Sequence, residues 1–299
     1  MTTRVALIQL DSGNDRAANL AEIEHWVLAA AQDGAQLIIT PEYSDVRGDA
    51  ALLQQQASPV PGVVTEHMAS LARRTGCWIQ LGSMHERLAD DPRLGNTSLV
   101  FNPDGQIAAS YRKTHLYDAV VNGMPYLESD DFAPGAALTT VEAAGLQLGL
   151  SICYDIRFAE LFRALRSRGA NVLVVPAAFN VHTGRDHWEV LLRARAIENQ
   201  CYVLAAAQIG GPGPALPGPQ HDHRPLGHRT GLHARPARLY LRRPGPDARH
   251  HAARQAASLV APPWRPVSHQ PLSRTPDAAR IPLFSHPRPA RALLPGEPS

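Results

Sequence analysis

The feature that most constrains this chain is a set of short, largely apolar runs that alternate with helical segments. The runs are RVALIQL (4–10), QLIITPEY (36–43), CWIQLGS (77–83), LQLGLSICYD (146–155), NVLVVPAAF (171–179) and CYVLAAAQ (201–208). Between them, residues 15–35, 65–76, 158–169 and 185–200 carry helical spacing, and three of these four segments end at or beside a glycine. A strand that is apolar on successive residues must be buried on both faces, as in layered α/β proteins. TSLVFNPDGQIAASYRK (97–113) adds two β-like runs around Asn-Pro-Asp-Gly, a hairpin signal. The expected class is therefore α/β, with two sheets packed together between helices.

The pattern ends at Gly211. Residues 212–299 hold 18 of the 26 prolines and 8 of the 14 histidines. They also hold 13 of the 29 cations and 4 of the 27 acids, a balance of +9 against −7 for residues 1–211. Such a composition predicts a disordered segment. The chain thus reads as a folded domain over 1–211 followed by a Pro/Arg/His-rich tail over 212–299. Three cysteines, Cys77, Cys153 and Cys201, without a CxxC pair argue against a disulfide framework or a zinc site and fit a reducing, cytoplasmic setting. The start lacks the pattern of a secretory signal, and no 18-residue apolar stretch occurs, so neither export nor a membrane span is expected. The basic tail has little aromatic interleaving, which leaves nucleic-acid binding a remote alternative.

Three reactive groups stand at or just beyond strand ends. Glu42 follows LIITP, Lys113 follows IAASYR, and Cys153 follows LGLSI and precedes a helix. Ligands of α/β sheets bind outside the carboxyl ends of strands. A cysteine alone is more often a buried structural thiol, and Cys77 and Cys201, each opening an apolar run, are read that way. At a strand-to-helix junction, however, backbone N–H groups and the helix dipole favour a thiolate and can hold an oxyanion. Lys113 is the only lysine beside 28 arginines. A compact ammonium directs its charge at one atom and can release a proton, which a guanidinium cannot do in a tight pocket. Together these three suit attack by a thiol on a carbonyl or nitrile carbon, with the glutamate as base and the lysine facing the tetrahedral intermediate.

These residues lie in motifs that resemble the nitrilase, or carbon–nitrogen hydrolase, superfamily: PEYS around Glu42, YRKTHLYD around Lys113 and ICYDIRFAELFR around Cys153. NTSLVFNPDG, YLES around Glu128 and TGRDHWEVLLRARAIENQCYVLAAAQ (183–208) extend the likeness over residues 4 to about 211. The resemblance implies a four-layer αββα sandwich that forms a homodimer or higher homo-oligomer, with no metal or organic cofactor and no nucleic-acid or membrane partner. It implies Glu42 as general base, Lys113 as transition-state stabiliser, Cys153 as nucleophile and Glu128 as the glutamate that holds the lysine. The backbone N–H of Tyr154 completes the oxyanion hole. CYDIRF and the 183–208 segment look most like the deaminated glutathione amidase and omega-amidase branch, whose members release ammonia from a terminal carboxamide. A nitrilase or an N-carbamoyl amino acid amidohydrolase on the same scaffold is the alternative. Ala159 stands where the branch commonly has proline. Arg157, Phe179, Asn180, His182 and Trp188 are the expected substrate-binding residues, with Arg157 able to pair with a carboxylate.

The superfamily continues past residue 211 with a Gly-His-Ser-Met-Ile-Ile-Asp-Pro-Trp-Gly-like strand, where this chain has GPQHDHRPLGHRT (218–230). Back-translated and moved by one base, Gln220–His223 permits Ser-Met-Ile-Ile, and the following codons permit Asp-Pro-Trp-Gly-Thr. A frameshift between about Gly211 and Gln220 is therefore expected, leaving the last strands of the sandwich missing or altered.

Overall fold

A computed structural model describes residues 3–121, 124–209 and 239–242 of the chain. The chain divides into two units, Met1–Pro262 and Pro263–Ser299, and every described residue belongs to the first. In chain order the elements are β1 (Val5–Ile8), α1 (Arg16–Gln32), β2 (Leu37–Ile39), α2 (Ala50–Gln56), α3 (Val63–Thr75), β3 (Trp78–Arg87), β4 (Leu94–Phe101) and β5 (Ile107–Arg112). They continue with β6 (Asp118–Val121), β7 (Met124–Leu127), α4 (Glu128–Asp131), β8 (Thr140–Ala143) and β9 (Leu146–Leu150). A 3-10 helix, Cys153–Arg157, precedes α5 (Ala159–Ser167), β10 (Val172–Val174), α6 (Val181–Asn199), β11 (Tyr202–Leu204) and β12 (Leu239–Arg242).

Two main sheets result, ordered β12-β1-β2-β3-β4-β5 and β11-β10-β9-β8. The continuous apolar runs are explained by where successive side chains point. In β2, Ile38 enters the core beneath α1 and α3, while Leu37 and Ile39 enter the core between the two sheets. In β10, Leu173 faces the core formed with α5 and α6, while Val172 and Val174 face back between the sheets. Three apolar cores therefore separate four layers, α–β–β–α. Each fully buried Leu or Ile contributes about 1.5–3 kcal/mol of transfer free energy, so neither sheet face can be left bare.

Local chemistry sets the ends of these elements. Asp15 caps α1 by accepting from the N–H groups of Ala17 and Ala18. Gly76 closes α3 in the left-handed conformation, φ 66°. β2 is shorter than the apolar run 36–43, because Pro41 ends its ladder and Tyr43 turns the chain at φ 55°. A register shift between Leu81 and Met84 in the β3–β4 pair places Gly82 against this turn. A Cβ on Gly82 would collide with the carbonyl oxygens of Thr40 and Pro41, so only glycine permits so close an approach. The run 146–155 also stops early, at Leu150, and the chain enters the 3-10 helix through Cys153 at φ 46°. The predicted disordered tail lies outside the described residues except for β12, which pairs antiparallel with β1.

Candidate active site

Glu42, Lys113, Glu128 and Cys153 line one cavity of about 290 Å³. Lys113 follows β5 directly and is 2% exposed, and Glu42, beyond β2, is 1% exposed. The three protons of the ammonium meet three oxygens: Glu42 Oε1 at 3.0 Å, Glu128 Oε1 at 3.0 Å and Glu128 Oε2 at 2.9 Å. Neither carboxylate depends on the lysine alone. Glu42 Oε1 also accepts from Asn96 Nδ2 at 2.9 Å, and its Oε2 accepts from the Ala178 N–H at 2.7 Å. Glu128, which opens α4, accepts further from the Tyr43 hydroxyl at 2.9 Å, from Asn96 Nδ2 at 3.2 Å and from the Tyr117 N–H.

These contacts fix the charge states. Burial works to lower the Lys113 pKa, but Glu128 and then Glu42 outweigh it and hold the group well above the usual lysine value. The ammonium thus stays charged through the neutral range. A compact cation, rather than proton release, is what the lysine supplies. Burial works to raise Glu128, yet the charge and hydrogen bonds of Lys113, with the Tyr117 N–H and the Tyr43 hydroxyl, keep it below the ordinary carboxylate range. The Cys153 thiol is pushed well up, first by burial and then by the charge of Glu42, with Lys113 offsetting only part of this. At rest the thiol is protonated, and the Glu42 carboxylate that would take its proton lines the same cavity.

Cys153 stands where the strand-to-helix turn requires it to. Its left-handed backbone is costly for a residue with a Cβ and is held by its N–H, which donates to Pro176 O at 2.9 Å. The next residue, Tyr154, lies in the first turn of the 3-10 helix, where the helix itself offers its N–H no acceptor. Among the described residues no group of three or more His, Cys, Asp or Glu side chains is placed to hold a metal ion. The other two cysteines are buried, with Cys77 Sγ near Ala35 O at 3.1 Å and Cys201 Sγ near Ala170 O at 3.4 Å.

Residues 4–235 match the carbon–nitrogen hydrolase family model. The chain belongs to the carbon–nitrogen hydrolase family. This hydrolase is 44% identical over 210 residues to deaminated glutathione amidase of Yersinia enterocolitica, covering 69% of the chain and 73% of that protein. It is 38% identical over 205 residues to omega-amidase NIT2 of Danio rerio, covering 68% and 73% respectively. Its fold is that of a Nesterenkonia amidase from the nitrilase superfamily, at a TM-score of 0.68 and 27% identity, covering 86% of this chain and 95% of that one. Another structure of the same Nesterenkonia enzyme carries the acetamide moiety of fluoroacetamide, added covalently at the active-site cysteine.

The other expected site residues of the hydrolase divide. Arg157, Phe179 and Asn180 line the cavity, as does Tyr154. The Arg157 guanidinium lies 5.5 Å from the Tyr154 ring and 5.4 Å from the Phe179 ring, and meets His187 Nδ1 at 3.2 Å. Trp188 does not reach the cavity. It is 4% exposed, packed behind Phe179 with ring centroids 4.9 Å apart, because the apolar face of α6 turns it toward the core with α5. The side chain of His182 lies outside the described residues. Two residues that reasoning from the sequence passed over prove central: Tyr43, which braces Glu128, and Asn96, which bridges both glutamates. Asn96 carried only a weak signal, as the first of three consecutive polar residues in the buried strand β4; Tyr43 carried only its place beside Glu42.

Proposed function

We propose that this hydrolase is a cysteine-dependent amidase that converts the terminal carboxamide of a small carboxylic acid to the acid and ammonia. The observation that carries this reading is the convergence of the Cys153 thiol, the Glu42 carboxylate and the Lys113 ammonium in one cavity. As Sγ bonds to the amide carbon, Glu42 takes the thiol proton. The oxyanion forms facing Lys113 Nζ and the Tyr154 N–H. The C–N bond then breaks as the protonated Glu42 gives its proton to the departing amine, leaving a thioester and ammonia. Water, deprotonated by Glu42, attacks the thioester; the carboxylic acid leaves and Cys153 regains its proton. Glu128 keeps the ammonium aimed. Arg157, at the cavity wall, suits the carboxylate at the substrate's far end. The acetamide adduct on the Nesterenkonia cysteine and the amidase relatives support the same chemistry.

Ammonia release from an ω-amide acid, a nitrile and an N-carbamoyl amino acid tests this. The expected result is turnover of the ω-amide acid with at least about tenfold preference in kcat/KM over the other two, a difference of about 1.4 kcal/mol in transition-state stabilisation. Turnover of the nitrile or carbamoyl compound in its place rejects the substrate class but keeps the scaffold.

We also infer a homo-oligomer in the cytoplasm. Val190 and Ile197, one heptad apart on one face of α6, are 64% and 68% exposed, the kind of apolar stripe that a second copy covers. The frameshift reading of the tail belongs here too. Alignment to the deaminated glutathione amidase covers 69% of this chain and 73% of that protein, which is compatible with a change of frame. Sequencing the coding DNA across codons 205–225 is expected to reveal one inserted or missing base; an intact frame would make the tail genuine.

A further inference from the structure

The catalytic groups come from different sheets. Glu42 and Lys113 follow β2 and β5 of the six-stranded sheet, whereas Cys153 follows β9 of the four-stranded one. The sheets meet through an apolar core, and apolar contact is non-directional. Something directional must set the lysine against the thiol to within a fraction of an ångström.

We propose that Asp155 and His115 are a positioning pair that holds the Lys113 segment in register with the Cys153 turn. The inference rests on the amidase reading of this site. Asp155 is fully buried, and both of its oxygens are saturated by donors from the two segments. Oδ1 accepts from the His115 N–H at 3.0 Å and from His115 Nδ1 at 2.7 Å. Oδ2 accepts from the Tyr111 hydroxyl at 2.7 Å and from the Ile152 N–H at 2.8 Å. Tyr111 and His115 lie two residues either side of Lys113; Ile152 and Asp155 flank Cys153. One carboxylate therefore clamps both catalytic residues from both sides.

The His115 ring makes a second tie. It stacks on Phe158 with centroids 3.6 Å apart and planes 10° apart, and Phe158 packs edge-on to Tyr154 at 5.7 Å. The segment bearing the lysine is thus joined also to the residue whose N–H faces the oxyanion in the proposed reaction. Tyr111, His115 and Asp155 stand behind the cavity wall and not on it, so they act through Lys113 and Cys153 without touching substrate.

The test uses the full chain with His115→Ala, His115→Asn and Tyr111→Phe, each checked for folding by circular dichroism. Two readouts are taken: kcat and KM on succinamic acid, and the rate of Cys153 alkylation by iodoacetamide followed by mass spectrometry, with Cys153→Ala as the control for the site of labelling. His115→Ala is expected to lower kcat about 30-fold and alkylation about 10-fold, with KM changed less than about 3-fold, since small misplacements of reacting groups cost up to about 10²-fold. His115→Asn places an amide N–H near the lost Nδ1–H and is expected to restore both rates to within about 3-fold. Alkylation and kcat of His115→Ala within about 2-fold of the parent, or a loss confined to KM, overturns the proposal. If His115→Ala does not fold, Tyr111→Phe decides: slowed alkylation supports the clamp, and the parent rate overturns it. A parent protein that alkylates normally but turns over no amide sinks the amidase reading, while the alkylation ratios still decide the clamp.

Discussion

Cys153→Ala is expected to lower amide turnover by at least about 10⁴-fold, the scale on which loss of a nucleophile acts when no other group forms the covalent intermediate. The fold should be unaffected. The substitution removes one sulfur from a half-buried position, and the backbone tie from residue 153 to Pro176 O does not involve the side chain. Alanine bears the left-handed φ of 46° at a cost similar to that of cysteine. Glu42 keeps its bonds to Lys113, Asn96 and Ala178. Ammonia production and a thermal melt, measured on one sample, check both halves: turnover at background with a melting temperature within about 3 °C of the parent, less than about 1 kcal/mol for a domain of this size. Residual turnover above about 1% of the parent would mean that water activated by Glu42 attacks the amide directly, a mechanism without a thioester.

Lys113→Arg should be nearly as damaging, although it keeps the positive charge. The ammonium is enclosed, and its three protons are matched to three oxygens on two carboxylates. A guanidinium is longer and planar, with its five donors in a fixed fork. To fit, it must displace Glu42 or Glu128 or push into the cavity, and overpacking of this kind costs about 1–3 kcal/mol. Loss of one well-aimed oxyanion donor costs about 10²–10³-fold in kcat. The expected result is therefore a fall in kcat of about 10²–10³-fold with a melting temperature lower by several degrees. A variant within about 3-fold of the parent would show that charge alone suffices and that compactness is irrelevant.

Much of this was legible in the chain. Runs such as VLVV (172–175) and LII (37–39) could be placed as strands covered on both faces because every residue of them is apolar. Glu42, Lys113 and Cys153 could be chosen because each breaks or follows such a run with a reactive group. Three things were not legible, for definite reasons. β6, β7 and α4 are four residues each, too short to carry a periodic signal, yet this segment delivers Glu128 and the Tyr117 N–H. Asn96 and Tyr43 matter through contacts across 32 and 85 residues of sequence, which no local pattern encodes. Trp188 was expected on the cavity wall because its motif neighbours are there, but helix phase turns it inward against Phe179. The lysine was also credited with proton release, whereas the two glutamates hold it as a permanent cation.

The seam between the two sheets gives catalysis an unusual dependence. Glu42 and Lys113 follow strands of one sheet and Cys153 follows a strand of the other, so neither sheet holds the proposed centre by itself. Helix content can survive while the sheets loosen, and the rate cannot. On the proposed mechanism activity becomes a gauge of inter-sheet packing, and volume changes at Val100, Leu150 or Val174, which lie in the core between the sheets and off the cavity wall, are expected to act as mechanical adjustments to the distance between Cys153 and Glu42.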